Sequence, residues 1–383
     1  MQLLPRSVKG HLETDLTLTA IISQSDSSTV YRGTLKVGSE LLQVAIKSAS
    51  NLSAGWRECE VLRLIGCHPS VVHLLQPVTS DGGEFFQVME LCDSSLAQMP
   101  ALEENVFKVF VQDFIQAVKT LHQKMKFVHG ALSLDHLLLN QDQRLKVCSF
   151  SKTEVCQNVN LLKKDLQDMA VSILEAPSKE RFGDLSPETA FENPRFLVDN
   201  LARKSTLSRN DSILLVSLAY PLLTGLTLAQ NLENHVFLQS PENVLRFIDG
   251  CKDFLMSRSC PMAESRLEST SYSVVGPNWV SQGHLDTMRE GRRYDGSMKD
   301  LLRLIRNKTE HYCSVPGYIR QCLAHPLVDP GSFLGYFTAL FPGLIPWTWH
   351  CMFEFRVEAN LQAFYPEDGQ YLTRVPIQQM IGR

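Results

Sequence analysis

The sequence predicts an α+β chain in which strands come first and helices follow, on three observations. Short β-rich runs, TLTAIIS, TVYRGTL, LLQVAIKSA and FFQVMEL, are confined to Thr17–Glu90. From Asn105 onward apolar residues recur at helical spacing, over Asn105–Gln123, over Ser240–Leu255 and again from Met298. A length of 383 residues, 44% hydrophobic and 20% charged, suffices for two or three domains with sizeable cores and excludes a disordered chain.

The formal net charge of -4 excludes a broadly basic protein, so any affinity for nucleic acid has to come from a local patch. Ten cysteines are scattered singly, with no C-x-x-C and no zinc-type Cys/His spacing. They read as reduced thiols of a cytosolic protein, and no metal site is expected. Met1–Gly10 carries Arg6 and Lys9 and no apolar segment, so no leader is expected. The apolar runs Ser212–Gln230 and Phe333–Phe353 are interrupted by Pro221 and Gly225 and by Pro342, Pro346 and His350. Both read as buried helix and loop, and the expected location is cytoplasmic without membrane attachment.

In the strand-rich part, Trp56–Ile65 is the one helical stretch, with Val61, Leu62 and Ile65 on one face. VAIK (Val44–Lys47) resembles the protein-kinase strand whose Lys contacts nucleotide phosphates, and Glu58 stands where that Lys finds its salt-bridge partner. The favoured reading of Lys47 with Glu58 is a fold-stabilising ion pair in a vestigial nucleotide pocket. Ile22, Gln24 and Ser27 occupy the places of the three phosphate-loop glycines, and without glycine the backbone does not approach phosphates closely. Nucleotide binding is therefore expected to be weak at most, and no cofactor is required.

The helix over Asn105–Gln123 leads to FVHGALSLDHLLLN and RLKVCSFS, which occupy the catalytic-loop region of a kinase. There H-R-D is replaced by His129-Gly130-Ala131, the metal-binding Asn by His136, and D-F-G by Ser149-Phe150-Ser151. Phosphoryl transfer needs carboxylates to hold metal ions and orient the hydroxyl, so an active protein kinase is not expected. Asp135 with His136 lacks the second carboxylate a rebuilt metal site would need. Eleven residues separate Ser151 from Lys163, which leaves almost no activation segment. Lys163–Leu174 then reads as an anchoring helix with Asp165 as its buried polar residue, and Glu175–Ser208 as loops around one helix, Pro194–Arg203. Glu264–Tyr272 is polar and turn-prone, and no internal repeat is evident.

The most informative stretch is YDGSMKDLLRLIRNKTEHY, Tyr294–Tyr312. Ser297 and Asp300 form an S-x-x-D cap that starts a helix at Met298, and Met298, Leu301, Leu302 and Ile305 make its apolar face. Asp300, Asn307 and His311, spaced by seven and four, form a second stripe, with Arg306 about 100° from Asn307. A cation, an amide, an imidazole and the phenol of Tyr294 can then converge on one phosphate. Together with Trp279 in GPNWVSQ and with YFTALFP (Tyr336–Pro342), the block resembles the ribonuclease domain of the family of 2-5A-dependent ribonuclease and inositol-requiring enzyme.

The resemblance covers roughly Thr17–Met352 and implies a bilobal kinase-like fold followed by an all-α KEN-type ribonuclease domain. The expected divisions are 1–94 (N-lobe), 95–238 (C-lobe of a pseudokinase), 239–352 (ribonuclease) and 353–383 (a tail matching nothing). No ankyrin signature, membrane span or lumenal domain is seen, so the sequence does not identify the activating input. The resemblance further implies a metal-independent endoribonuclease, acting on single-stranded or loop RNA as a homodimer or as a heterodimer with a related ribonuclease. The alternative is a non-catalytic protein that pairs with an active relative. RNA cleavage needs no metal when its own 2′-hydroxyl attacks phosphorus, and an imidazole suits the acid role because its ordinary pKa of about 6.5 leaves a protonated fraction. By resemblance His311 is that acid, Tyr294 the base or a positioning group, and Arg306 with Asn307 the phosphate clamp. Trp279 stacks on a base, shapes the pocket or is a core indole, and Asp300 orients Arg306 or only caps the helix.

Overall fold

The computed structural model describes residues 6–9, 15–178, 193–257, 260–366 and 368–381. Most of Met1–Gly10, where no leader is expected, and positions 179–192 of the expected loop lie outside these. The fold is α+β, a kinase-like sheet followed by helices. Contacts divide it into two compact units, Met1–Ser172 and Ile173–Arg383, whereas the sequence suggests divisions at 94, 238 and 352.

Unit 1 opens with β1 (Arg6–Lys9), β2 (Asp15–Gln24), β3 (Ser28–Val37), β4 (Glu40–Ala49), β5 (Leu74–Thr79) and β6 (Phe85–Glu90). They form one antiparallel sheet in the order β1-β2-β3-β4-β6-β5. Alternation decides the faces: Val44 and Ile46 of β4 and Phe86 and Val88 of β6 point into one core with Leu16, Leu18, Leu35 and Val78. Lys47 and Gln87, in register across β4 and β6, lie on the other face. Gly33 is required where β3 crosses this core, since a Cβ there would lie 2.3 Å from both Ile46 Cδ1 and Thr17 O.

The helix α1 (Leu52–Ile65) begins four residues before the expected Trp56. Asn51 caps it by accepting from Ala54 N at 3.2 Å, and Gly55 in the first turn leaves room for the ring of Phe85. The helix α2 (Glu104–Lys119) is followed by a π-type turn, Thr120–Met125. Asp165, on α3 (Val159–Glu175), reaches back to the loop after that turn. Its carboxylate accepts from His129 N at 2.7 Å and Gly130 N at 2.8 Å, and it pairs with His122 Nε2 at 3.0 Å.

Burial opposes the charge of Asp165, but the hydrogen bonds from His122 and from the His129 and Gly130 amides hold its pKa below the usual carboxylate range. A folded pKa below the unfolded one contributes stability that is complete above about pH 4 and is lost as pH falls through the folded value. The unfolding free energies of wild type and Asp165→Asn should therefore differ most near neutrality and converge as pH falls below about 4. Denaturant titrations across that range check this, and a pH-independent difference would contradict it.

Unit 2 is helical. The helices α4 (Pro194–Lys204) and α5 (Arg209–Leu223) pack together, and α5 is buried on nearly every side, which accounts for its apolar run. The helix α6 (Pro241–Ser257) follows, then α7 (Pro261–Glu268), where the sequence suggested turns. Pro261 at the first helical position and the buried pair Ala263 and Leu267 make that polar stretch a helix. The site helix α8 (Met298–Glu310) packs on α6 and α7. The second apolar run splits at Phe341-Pro342-Gly343 into α9 (Pro330–Leu340) and α10 (Leu344–Met352). No helix among the described residues is long and apolar enough to cross a membrane.

Residues of the tail complete this core. Tyr365 donates to Trp349 O at 2.8 Å and stacks on the Trp349 ring, centroids 5.3 Å apart. The last helix, α11 (Ile377–Ile381), buries Ile377, Met380 and Ile381 against α4, α5 and α10. The described tail residues therefore belong to the compact unit 2.

Candidate active site

The site is built on α8, whose apolar residues Met298, Leu301, Leu302, Leu304 and Ile305 are all fully buried. Ser297 caps it, accepting from Asp300 N at 3.1 Å. Glu268 of α7 takes two more free amides, Met298 N at 3.1 Å and Lys299 N at 3.0 Å, placing a carboxylate at the positive end of the helix dipole. Trp279 is fully buried, and its Nε1 donates to Ser297 O at 3.0 Å. The indole is thus a core side chain that also backs the site, with its ring centroid 6.2 Å from that of Tyr294.

Tyr294 and Asn307 meet directly: Asn307 Nδ2 donates to the Tyr294 hydroxyl at 3.3 Å. Arg303, one turn before Asn307 and outside the expected set, places its guanidinium 5.1 Å from the Tyr294 ring centroid. Asp300 is nearly buried and accepts from Arg303 Nη1 at 3.2 Å and Asp295 N at 2.7 Å. Its carboxylate therefore fixes Arg303 and the Tyr294 segment and does not cap the helix, whose first amides go to Ser297 and Glu268; Arg306 is not its partner.

Arg306 is held by two other carboxylates. Its Nε donates to Asp249 Oδ1 of α6 at 3.0 Å, and its Nη1 donates to Glu310 Oε2. His311 stands just past the helix, a correction to its expected place on the helical stripe. Its φ of -114° and ψ of 40° end the helix, although its N–H still reaches Asn307 O at 2.9 Å. Its ring is more than half exposed, and Nε2 lies 4.0 Å from the same Glu310 Oε2 that Arg306 engages. Of the four predicted residues, the structure thus brings together Tyr294 with Asn307, and Arg306 with His311 through a carboxylate oxygen.

Three more residues tie the site's loop to its helix. Lys308, almost fully buried, donates to Glu290 Oε1, and Ser314 Oγ donates to the same oxygen at 2.7 Å. Burial opposes ionisation of Glu290, yet the Lys308 and Ser314 hydrogen bonds hold its carboxyl below the usual range. Helical spacing from Asp300 and Asn307 was the available signal for Arg303. For Glu290 and Lys308 the only signal was an acid and a base near Tyr294 and Asn307.

In unit 1, Lys47 Nζ lies 2.6 Å from Glu58 Oε2, and both side chains are buried. Glu58 Oε1 also accepts from Phe150 N at 2.9 Å, while Gln87 Nε2 donates to Gly55 O at 2.8 Å. The β2–β3 turn that replaces the glycine-rich loop is closed by Ser25 N donating to Ser28 O at 2.9 Å and by the Ser25 hydroxyl. Ser149 adopts a left-handed conformation, φ 68°, and His136 Nδ1 is taken up by Ala131 O at 2.6 Å. Burial holds the neighbouring His129 imidazole below its usual pKa. Among the described residues, no three His, Cys, Asp or Glu side chains are grouped to hold a metal ion.

Two families match this chain: the protein kinase domain over residues 20–173 and ribonuclease 2-5A over residues 247–365. The chain is 34% identical over 142 residues to the human serine/threonine-protein kinase/endoribonuclease IRE2, covering 36% of this chain and 15% of that protein. It is 39% identical over 88 residues, 22% of this chain and 8% of the relative, to the sensor for unfolded proteins in the ER ire1 of Schizosaccharomyces pombe. With the serine/threonine-protein kinase/endoribonuclease ire-1 of Caenorhabditis elegans the similarity is 24% identity over 90% of this chain and 40% of the relative. The chain spans less than half the length of each of these relatives.

Proposed function

Because the chain joins a protein-kinase-type domain to a domain of the ribonuclease 2-5A family, the pairing seen in the kinase/endoribonucleases it resembles, we propose that it is a metal-independent endoribonuclease. In this reading the kinase-like part is a scaffold for dimerisation that transfers no phosphoryl group. Ala131, His136 and Ser149 leave it without the metal-holding and hydroxyl-orienting groups, and phosphate incorporation into a generic protein substrate above background would overturn that part.

The observation that carries the nuclease reading is the oxygen shared by Arg306 and His311. Glu310 Oε2 marks a point that a guanidinium engages and an imidazole nitrogen approaches to 4.0 Å, and Asn307, which holds Tyr294, follows Arg306 on the same helix. A phosphate oxygen that displaces the Glu310 carboxylate from that point gains Arg306 to offset its charge and His311 to protonate the leaving 5′-oxygen, while Tyr294, held by Asn307, serves the 2′-hydroxyl as base or positioning group. The nucleophile belongs to the RNA, so no metal-bound water is needed. Purified protein, titrated in concentration with EDTA present, should cleave a fluorescent hairpin RNA to products ending in 2′,3′-cyclic phosphate, and the rate should rise steeply with concentration as dimers form. Plain 3′-hydroxyl ends or inhibition by EDTA would refute the mechanism.

A second reading, a non-catalytic chain that pairs with an active relative, is favoured by one observation: Arg306 is already neutralised by Asp249 and Glu310. Absence of cleavage even under enforced dimerisation would select it.

A further inference from the structure

Two chain segments flank the end of α8, residues 284–294 and 311–318, and they are cross-tied. Glu290 of the first accepts from Ser314 of the second, whose Oγ also lies 2.7 Å from His311 O. Further along the same pair of segments, the His284 ring stands edge-on to Tyr318, centroids 5.8 Å apart at 85°. Both ends of this second tie are fixed from beneath. The Tyr336 hydroxyl accepts from His284 N at 3.0 Å, and Gly283, at φ +54°, admits that hydroxyl where a Cβ would come within 2.8 Å of it. Tyr312 packs its ring on His325, 4.6 Å between centroids, and donates to Leu323 O, closing the turn that carries Tyr318.

Tyr318 itself remains 55% exposed. A single exposed tyrosine is ordinary. This one is held edge-on against His284, four residues beyond Ser314, and the same two segments and the turn after them present exposed Arg292, Arg293 and Arg320. Aromatic rings flanked by cations are how proteins hold unpaired nucleobases, because every base has a π-face and the backbone phosphates follow the charge.

We propose that Tyr318, backed by His284, is a base-stacking subsite that holds one unpaired nucleobase of single-stranded or loop RNA beside the phosphate cleaved at His311. The inference rests on the nuclease reading for its substrate, but binding tests it without cleavage. On a His311→Ala background of the full chain, fluorescence anisotropy with a labelled single-stranded RNA should show Tyr318→Ala weakening affinity about 5- to 150-fold, the range of one base-stacking contact. Tyr318→Trp should retain affinity, Tyr318→Leu should behave as Tyr318→Ala does, and binding to a duplex of the same sequence should not change. An RNA with one abasic position at the stacked nucleotide should lose the same factor and then be insensitive to Tyr318→Ala. Equal affinity for single strands with and without the Tyr318→Ala substitution, in a protein that cleaves, overturns the subsite alone. Tyr318-dependent binding without any cleavage by the parent chain overturns the nuclease reading and leaves the subsite standing. Absence of RNA binding overturns both.

Discussion

Replacement of His311 by Ala should lower the rate of RNA cleavage by about 10² to 10⁴, the contribution of one positioned general acid. The site isolates this effect from folding. The His311 ring is more than half exposed, and its Nε2 lies 4.0 Å from Glu310 Oε2. The hydrogen bond that ends the helix comes from its backbone N–H, which Ala also supplies. Thermal unfolding and dimer formation should therefore match the parent while cleavage is lost. Arg306→Ala is a less clean test, because it also breaks the ion pair to Asp249 that ties α8 to α6. Single-turnover kinetics on a hairpin RNA check the prediction. Cleavage by His311→Ala at the parental rate would place the activity elsewhere.

Trp279→Ala should destabilise unit 2 by about 3–5 kcal/mol, the usual cost of emptying a fully buried large aromatic site. The indole contributes both its volume and a hydrogen bond to Ser297 O at 3.0 Å, so its loss leaves a cavity and one less partner for the residue that caps α8. It also removes the ring against which Tyr294 packs, and cleavage should fall along with stability as the phenol loses its support. Trp279→Phe should lie between, since it keeps part of the volume and no N–H. Denaturant unfolding measures the difference. A variant of parental stability but weakened RNA affinity would mean that the indole stacks on a base after all.

What the sequence by itself determined is local. The cap at Ser297, the apolar stripe from Met298 to Ile305 and the alternation of Val44 and Ile46 depend on contacts within a turn or between adjacent strands, which spacing encodes. The losses at Ala131, His136 and Ser149 are equally legible, because they concern which atoms are present and not where they go. The tertiary structure decided every choice among equivalent partners. Spacing alone allowed Asp300 to hold Arg306; packing of α6 against α8 supplied Asp249 from 57 residues away, and Asp300 took Arg303, one turn along its own helix. Burial of Trp279, the Glu290–Lys308 tie and the burial of Ile377, Met380 and Ile381 in the tail are likewise fixed by segments that meet only on folding. A charged side chain takes whichever counter-charge is nearest, and an apolar one whichever cavity is open, and both are properties of the assembled core.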